Sequence, residues 1–252
     1  MSYAGYGPQW QMGVRQEKNM AGPGKNSSPP RLINNESNYS DPYRKTILVA
    51  TTNPAKLAEL RAMLDADVDW VSLADFPHID PVAEDGATFA ENARKKALGY
   101  AKATGLWTIA DDSGLVVDAL GGEPGVRSAR YSGEKLPAED RTLLDHRNTK
   151  KVLELLEGVP QEKRTARFVC CLCLASPQKV LLETTGTLEG LISDREIGTN
   201  GFGYDPIVFV PQLGKTVAQL TPDQKNAISH RGNAITKLRP LLERLLAGRK
   251  AP

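Results

Sequence analysis

From Thr46 onward, short apolar runs alternate with longer stretches whose apolar residues recur at helical spacing. Thr46–Ala50 (T-I-L-V-A) reads as a buried parallel strand. Asn53 and Pro54 then start a helix, as an N-cap followed by proline at the first helical position. Leu57, Leu60 and Leu64 give that helix one apolar face. Thr88 to Gly105 reads as a second helix, with a capping box at Thr88 and Glu91 and a glycine to close it. A strand over Trp107–Ala110 is expected to end at Asp111–Asp112, and Val116–Val117 to start another. Gly121–Gly133 is a loop rich in glycine and arginine. Pro137–Leu156 is a helix with Leu143, Leu144, Val152, Leu153, Leu155 and Leu156 as its apolar set. Arg167–Ala175 and Val180–Leu191 form a hairpin turning near Ser176-Pro177-Gln178. A short apolar strand covers Ile207–Val210. Thr221-Pro222-Asp223-Gln224 opens one more helix, and the last runs from Gly232 to Leu246. Strands alternating with helices first, and antiparallel strands later, predict an α/β fold. The expected architecture is a mixed β-sheet flanked by helices, in two lobes with the active-site cleft between them.

The pattern begins only at residue 46. Residues 1–45 hold five each of Gly, Pro, Asn and Ser, too little apolar surface to offset the entropy of ordering. They are expected to be a disordered extension, ahead of one domain over 46–248. The extension carries six basic and three acidic residues, a net +3, against 32 basic and 30 acidic in the whole chain. The remainder is therefore 26 against 27, so the domain has no basic excess to argue for nucleic acid. The start has no apolar h-region of a signal peptide. No run of about 18 apolar residues exists to span a membrane. Cys170, Cys171 and Cys173 are odd in number and clustered in one strand, which reads as core packing in a reducing compartment.

Four segments stand apart from this packing logic. Thr51-Thr52-Asn53-Pro54-Ala55-Lys56 joins a strand to a helix N-terminus, where free N–H groups and positive potential suit phosphate. Ala110-Asp111-Asp112-Ser113-Gly114 places two adjacent carboxylates after an apolar strand. They repel unless a cation or shared proton relieves them, and Mg²⁺ takes one or two carboxylates plus substrate phosphates. Glu84-Asp85 is a second acidic pair. Gly201-Phe202-Gly203-Tyr204-Asp205 offers an aromatic face between glycines. Lys225 precedes Ala227-Ile228-Ser229-His230-Arg231, whose ring and guanidinium donors suit phosphate or a carbonyl. Each segment alone also reads as ordinary structure: a helix start, a turn, a tight loop, a helix junction.

Taken together and in this order, T-x-N-x-x-K, E-D-G-A-T-F-A-E-N-A-R-K-K-A, A-D-D-S-G through Y-S-G, G-F-G-Y-D-P and K-x-A-I-S-H-R resemble the inosine triphosphate pyrophosphatase family. The resemblance spans Thr46 to Leu246. It implies a cytoplasmic, Mg²⁺-dependent homodimer that hydrolyses ITP, dITP and XTP to the monophosphate and pyrophosphate. It implies Asp112 as general base and metal residue, with Glu84 as the other metal acid. Ser113 and Thr51–Lys56 (Thr51, Thr52, Asn53, Pro54, Ala55, Lys56) would hold substrate, the loop mainly through phosphate. Phe202, Gly203, Tyr204 and Asp205 would form the base and sugar pocket, completed by Lys225, His230 and Arg231. Thr52 stands where the family commonly has glycine, and Ala83 where some relatives carry another acid. A related pyrophosphatase for other bases, and a nucleotide-binding module without turnover, are the competing readings.

Overall fold

A computed structural model of the protein describes residues 45–52, 54–133 and 140–248. The expected extension 1–45 falls, apart from Lys45, outside the described residues, as do Asn53 and the first residues of the helix expected from Pro137. Seven strands form one mixed sheet. They are β1 (Lys45–Val49), β2 (Val68–Ser72), β3 (Trp107–Val117), β4 (Thr165–Ala175), β5 (Val180–Ile192), β6 (Val208–Val210) and β7 (Lys215–Thr216). Their order is β2-β1-β3-β4-β5-β6-β7. β1 lies parallel to β2 and β3, and every later pairing is antiparallel. The helices are α1 (Pro54–Leu64), α2 (Phe89–Thr104), α3 (Arg141–Leu155), α4 (Pro222–Ile228) and α5 (His230–Ala247).

The site is positioned by alternation along β3, because successive side chains on a strand point to opposite faces. On one face lie Trp107, Ile109, Asp111, Ser113, Leu115 and Val117 in turn. Trp107 and Ile109 belong to an apolar cluster with Leu60 and Leu64 of α1 and Leu238 and Leu242 of α5. Leu115 and Val117 belong to another, with Val152 of α3, Leu156 and Val208 of β6. Asp111 and Ser113 fall in the polar gap between the two. On the opposite face Ala110 packs with Ala93 and Ala97 of α2 and with Cys171 and Cys173 of β4, so Asp112 turns toward α2. The described residues form one compact unit, and the gap separates two core clusters within it.

Several expectations change. The D-D-S-G segment is not a strand end. β3 runs straight through it, with Asp111, Asp112 and Ser113 opposite Leu172, Cys171 and Cys170 of β4. Ten consecutive residues, Thr108 to Val117, pair with β4, and that ladder outweighs the local turn preference of Asp, Ser and Gly. β1, however, pairs with β3 only as far as Ile109. Beyond that point this edge of β3 has no strand beside it among the described residues. Asp111 and Asp112, on opposite faces, therefore both reach the same open edge.

The box at Thr88 closes on one side only. The Thr88 hydroxyl accepts from the Glu91 N–H, while the Glu91 carboxylate accepts from the Ala87 N–H. In α3, Leu143 and Leu155 are 43% and 49% exposed, and the buried face is instead Asp145, Asn148, Thr149 and Val152. That face is polar because it grips a loop rather than the core: the Asp145 carboxylate accepts from the Gly203 N–H at 2.8 Å. α5 starts at His230, two residues earlier than expected, because the Ser229 hydroxyl caps it by accepting from the Gly232 N–H. His230 and Arg231 thus sit in a helical first turn. The hairpin, α1, α4 with its reciprocal capping box, and the buried free cysteines match the sequence reading.

Candidate active site

A cleft of about 490 Å³ opens at the free edge of β3. It gathers Thr51, Thr52 and Lys56 from the turn after β1 and the first turn of α1, and Glu84 from the loop before α2. Asp111, Asp112 and Ser113 come from β3, Phe202 to Asp205 from the loop before β6, and Lys225, His230 and Arg231 from α4 and α5. Pro54 and Ala55 open α1 beside it, and Asn53 lies outside the described residues.

The two adjacent aspartates make their direct ion pairs with different cations. Asp111 takes Lys56 at 3.5 Å and Arg231 at 3.2 Å. Burial works against its charge, but Lys56, Arg231 and Lys96 outweigh this and hold its carboxyl well below the usual carboxylate range. Asp112 faces α2, where its two oxygens have different neighbours. Oδ2 accepts from the Asn92 side-chain amide at 3.1 Å, and Oδ1 lies 3.5 Å from the Lys96 ammonium. Here burial prevails over Lys96 and Asn92, and the pKa rises above the ordinary aspartate value. Lys96 also reaches Glu84 at 3.0 Å. One ammonium thus spans both acids that the sequence singled out for metal.

No cluster of three His, Cys, Asp or Glu side chains forms a metal cage among the described residues. Mg²⁺ needs none, because it keeps several waters and binds through one or two carboxylates plus substrate phosphates. Glu84 and Asp112, oxygen donors drawn toward one positive charge at an open edge, fit that mode.

The same cleft also offers rings and donors. Phe202 is 60% exposed, between Gly201 and Gly203 at φ +81° and +62°, backbone angles that glycine adopts without penalty. The turn is held from three sides. The Asp205 carboxylate accepts from the Phe202 N–H, Asp145 holds the Gly203 N–H, and the Tyr204 hydroxyl donates to the Ser128 carbonyl at 2.8 Å. Tyr204 and Asp205 are buried at 5% and 3% exposure, so they set the turn and leave Phe202 as its exposed surface. Lys225 pairs with Asp205 and lies 4.3 Å from the centre of the Phe202 ring.

His230 stacks on Phe168 with ring centres 5.0 Å apart and planes 20° from parallel. Burial, reinforced by Arg231 and Lys225, pushes its pKa down to about 3, so it is neutral at physiological pH. Arg231 is held between Asp111 and Glu59 of α1. Among the described residues, buried His230 Nδ1 and Arg231 Nε have no hydrogen-bond partner. Such atoms cost about 1–3 kcal/mol each unless something pairs with them.

Sequence reasoning passed over Lys96, Asn92, Asp145, Phe168 and Glu59. Lys96 and Asn92 stand four residues apart in E-N-A-R-K-K-A, hence on one helical face, and that spacing was a usable signal. Asp145 lies in a polar helical stretch and Phe168 in an apolar strand, with nothing local to mark either.

A family model described as the Ham1 family matches residues 47–241. The chain is 48% identical over 197 residues to the dITP/XTP pyrophosphatase of Shouchella clausii, covering 78% of this chain and 96% of that one. It is 50% identical over 194 residues to the dITP/XTP pyrophosphatase of Geobacter sulfurreducens, covering 77% and 94%. Among solved structures, the Ham1 protein of Staphylococcus aureus matches with TM-score 0.72 at 42% identity, covering 80% of this chain and 100% of that one. A nucleoside-triphosphatase / dITP/XTP pyrophosphatase from Mycobacterium abscessus matches with TM-score 0.66 at 45% identity, covering 77% and 99%. The motifs, the mixed sheet and these similarities agree: the chain belongs to the Ham1 family.

Proposed function

We propose that this protein hydrolyses deaminated purine nucleoside triphosphates (ITP, dITP and XTP) to the nucleoside monophosphate and pyrophosphate, and so clears them from the nucleotide pool. The observation that carries the reading is the polarity of the cleft. Acids and ammonium groups meet at the open edge of β3, and an exposed ring with donor-bearing residues lines the same cleft. That is the layout of a molecule with a charged tail and a flat polar ring. The relatives are dITP/XTP pyrophosphatases, which points to a deaminated purine as the ring.

The chemistry is an in-line displacement at the α-phosphorus. Water oxygen bonds to phosphorus, the bond from phosphorus to the α–β bridging oxygen breaks, and pyrophosphate leaves with that oxygen. Asp112 orients the water and accepts its proton. Lys56 and Lys96 neutralise phosphate charge, and the N-terminus of α1 adds N–H donors. Glu84 and Asp112 would hold a divalent cation, Mg²⁺ by the nature of its donors, which would neutralise charge on the phosphates. Lys225 and the Phe202 ring receive the base by cation and stacking contacts. Hypoxanthine and xanthine present a 6-oxo acceptor where adenine presents an amino donor. Arg231, fixed by Asp111 and Glu59, and His230 supply donors that adenine leaves unpaired. Buried free thiols fit a reducing, cytoplasmic setting.

Arg231→Ala tests the base reading. Discrimination of ITP over ATP in kcat/KM should fall at least about tenfold, as expected when a paired polar group is lost, and unchanged discrimination would refute the assignment. A second test uses pH. Because burial pushes the His230 pKa down to about 3, the ITP to ATP ratio should stay flat from pH 5.5 to 7.5. A break near 6.5, the ordinary histidine value, would show that the ring titrates freely.

A further inference from the structure

Asn92 lies behind the cleft rather than in its wall, and it is 1% exposed. Its side chain makes two contacts of opposite sense. Oδ1 accepts from the Gly86 N–H at 2.7 Å, and Nδ2 donates to Asp112 Oδ2 at 3.1 Å. A backbone N–H can only donate, so the amide oxygen must face Gly86 and the amide nitrogen must face Asp112. The orientation is thereby fixed by chemistry. Gly86 follows Glu84 by two residues, so the loop that carries one acid is tied through a single buried amide to the other acid. The fit is close on both sides, since a Cβ on Gly86 would lie 2.7 Å from Asn92 Oδ1. Lys96, one turn further along the same face of α2, spans the same two acids with its ammonium.

From this geometry we propose that Asn92 is a positioning residue for the cation site, fixing the separation of Glu84 and Asp112 and keeping Asp112 Oδ1 turned to the cleft. By holding Oδ2, Asn92 leaves the oxygen on the Lys96 side for cation and water. Partners of this kind, which touch a ligand group but not the ligand, typically change metal affinity or activity about 10–100-fold when removed. The inference rests on the reading of Glu84 and Asp112 as metal acids.

The test measures Mn²⁺ binding by electron paramagnetic resonance alongside kcat and KM for ITP. Asn92→Ala should weaken Mn²⁺ binding and lower kcat, each about 10–100-fold, with KM nearly unchanged. Glu91→Ala is the matched control, because Glu91 caps the Ala87 N–H of the same loop from the same helical turn but does not touch Asp112. It should leave Mn²⁺ binding and kcat within about twofold, well under that range. Asn92→Asp guards against misfolding. It keeps the shape and the acceptor for Gly86 but sets a carboxylate oxygen against Asp112, and kcat should fall at least tenfold, the lower end of the same range. Wild-type Mn²⁺ affinity and kcat in the Asn92 variants, or equal losses in Glu91→Ala, would overturn the positioning role alone. Absence of Mn²⁺ binding to the unmodified protein would overturn the metal reading itself.

Discussion

Asp112→Asn should lower kcat for ITP by about 10²–10⁴-fold, the range that a positioned general base contributes, while nucleotide binding survives. The substitution is isosteric, and Asn92 can still donate to the oxygen that remains. Lys96 keeps Glu84 as a partner at 3.0 Å, so no buried ammonium is left bare. What disappears is the Asp112 carboxylate oxygen that Asn92 does not hold, and with it the proposed acceptor for the proton of water. Single-turnover kinetics with calorimetric titration of ITP separates the two effects. A kcat within tenfold of the unmodified protein would remove Asp112 from the base role. Loss of binding and turnover together would assign it to substrate affinity instead.

Gly186→Ala should destabilise the fold and spoil base selection at once, although the residue lies on β5 and outside the cleft lining. A Cβ there would stand 2.1 Å from the His230 carbonyl oxygen, 2.4 Å from the Ala234 nitrogen and 3.0 Å from the Asn233 carbonyl carbon. All three are backbone atoms of α5, so no side chain can swing aside. Other contacts fasten the helix to the strand at the same place: Thr184 donates to the Ala234 carbonyl and the Asn233 amide to the Thr187 carbonyl. Relief requires moving the first turn of α5, which carries His230 and Arg231. Overpacking of this kind costs about 1–3 kcal/mol or more, and each kcal/mol lowers Tm by about 2–4 °C in a domain of this size. Thermal melts and the ratio of kcat/KM for ITP and ATP should therefore fall together. An unshifted Tm with unchanged selectivity would show that α5 yields without consequence.

The legible part of this molecule was the part written in local pattern. Leu57, Leu60 and Leu64 marked α1, Thr221 to Gln224 marked the start of α4, and the apolar runs on either side of Ser176-Pro177-Gln178 marked the hairpin. Local pattern failed where a distant partner decided the outcome. The D-D-S-G segment has turn chemistry, but β4 pairs with it residue for residue and makes it strand interior. The apolar residues of α3 pointed to a core face, whereas its buried middle holds the Gly203 turn through Asp145. The motifs brought the cleft's main residues together on paper. They did not show that Asp111 and Asp112 face opposite ways with different ion-pair partners, because that follows from β3 continuing as a strand through both residues. Asn92 and Phe168 support other residues from behind, and sequence marks supporting residues least.

Pyrophosphate release from ITP, dITP, XTP, ATP, GTP and dTTP, each with Mg²⁺ and again with EDTA, tests the central claim most directly. The account predicts release largely confined to ITP, dITP and XTP and abolished by EDTA. Comparable release from ATP or dTTP, or release that survives EDTA, would contradict it.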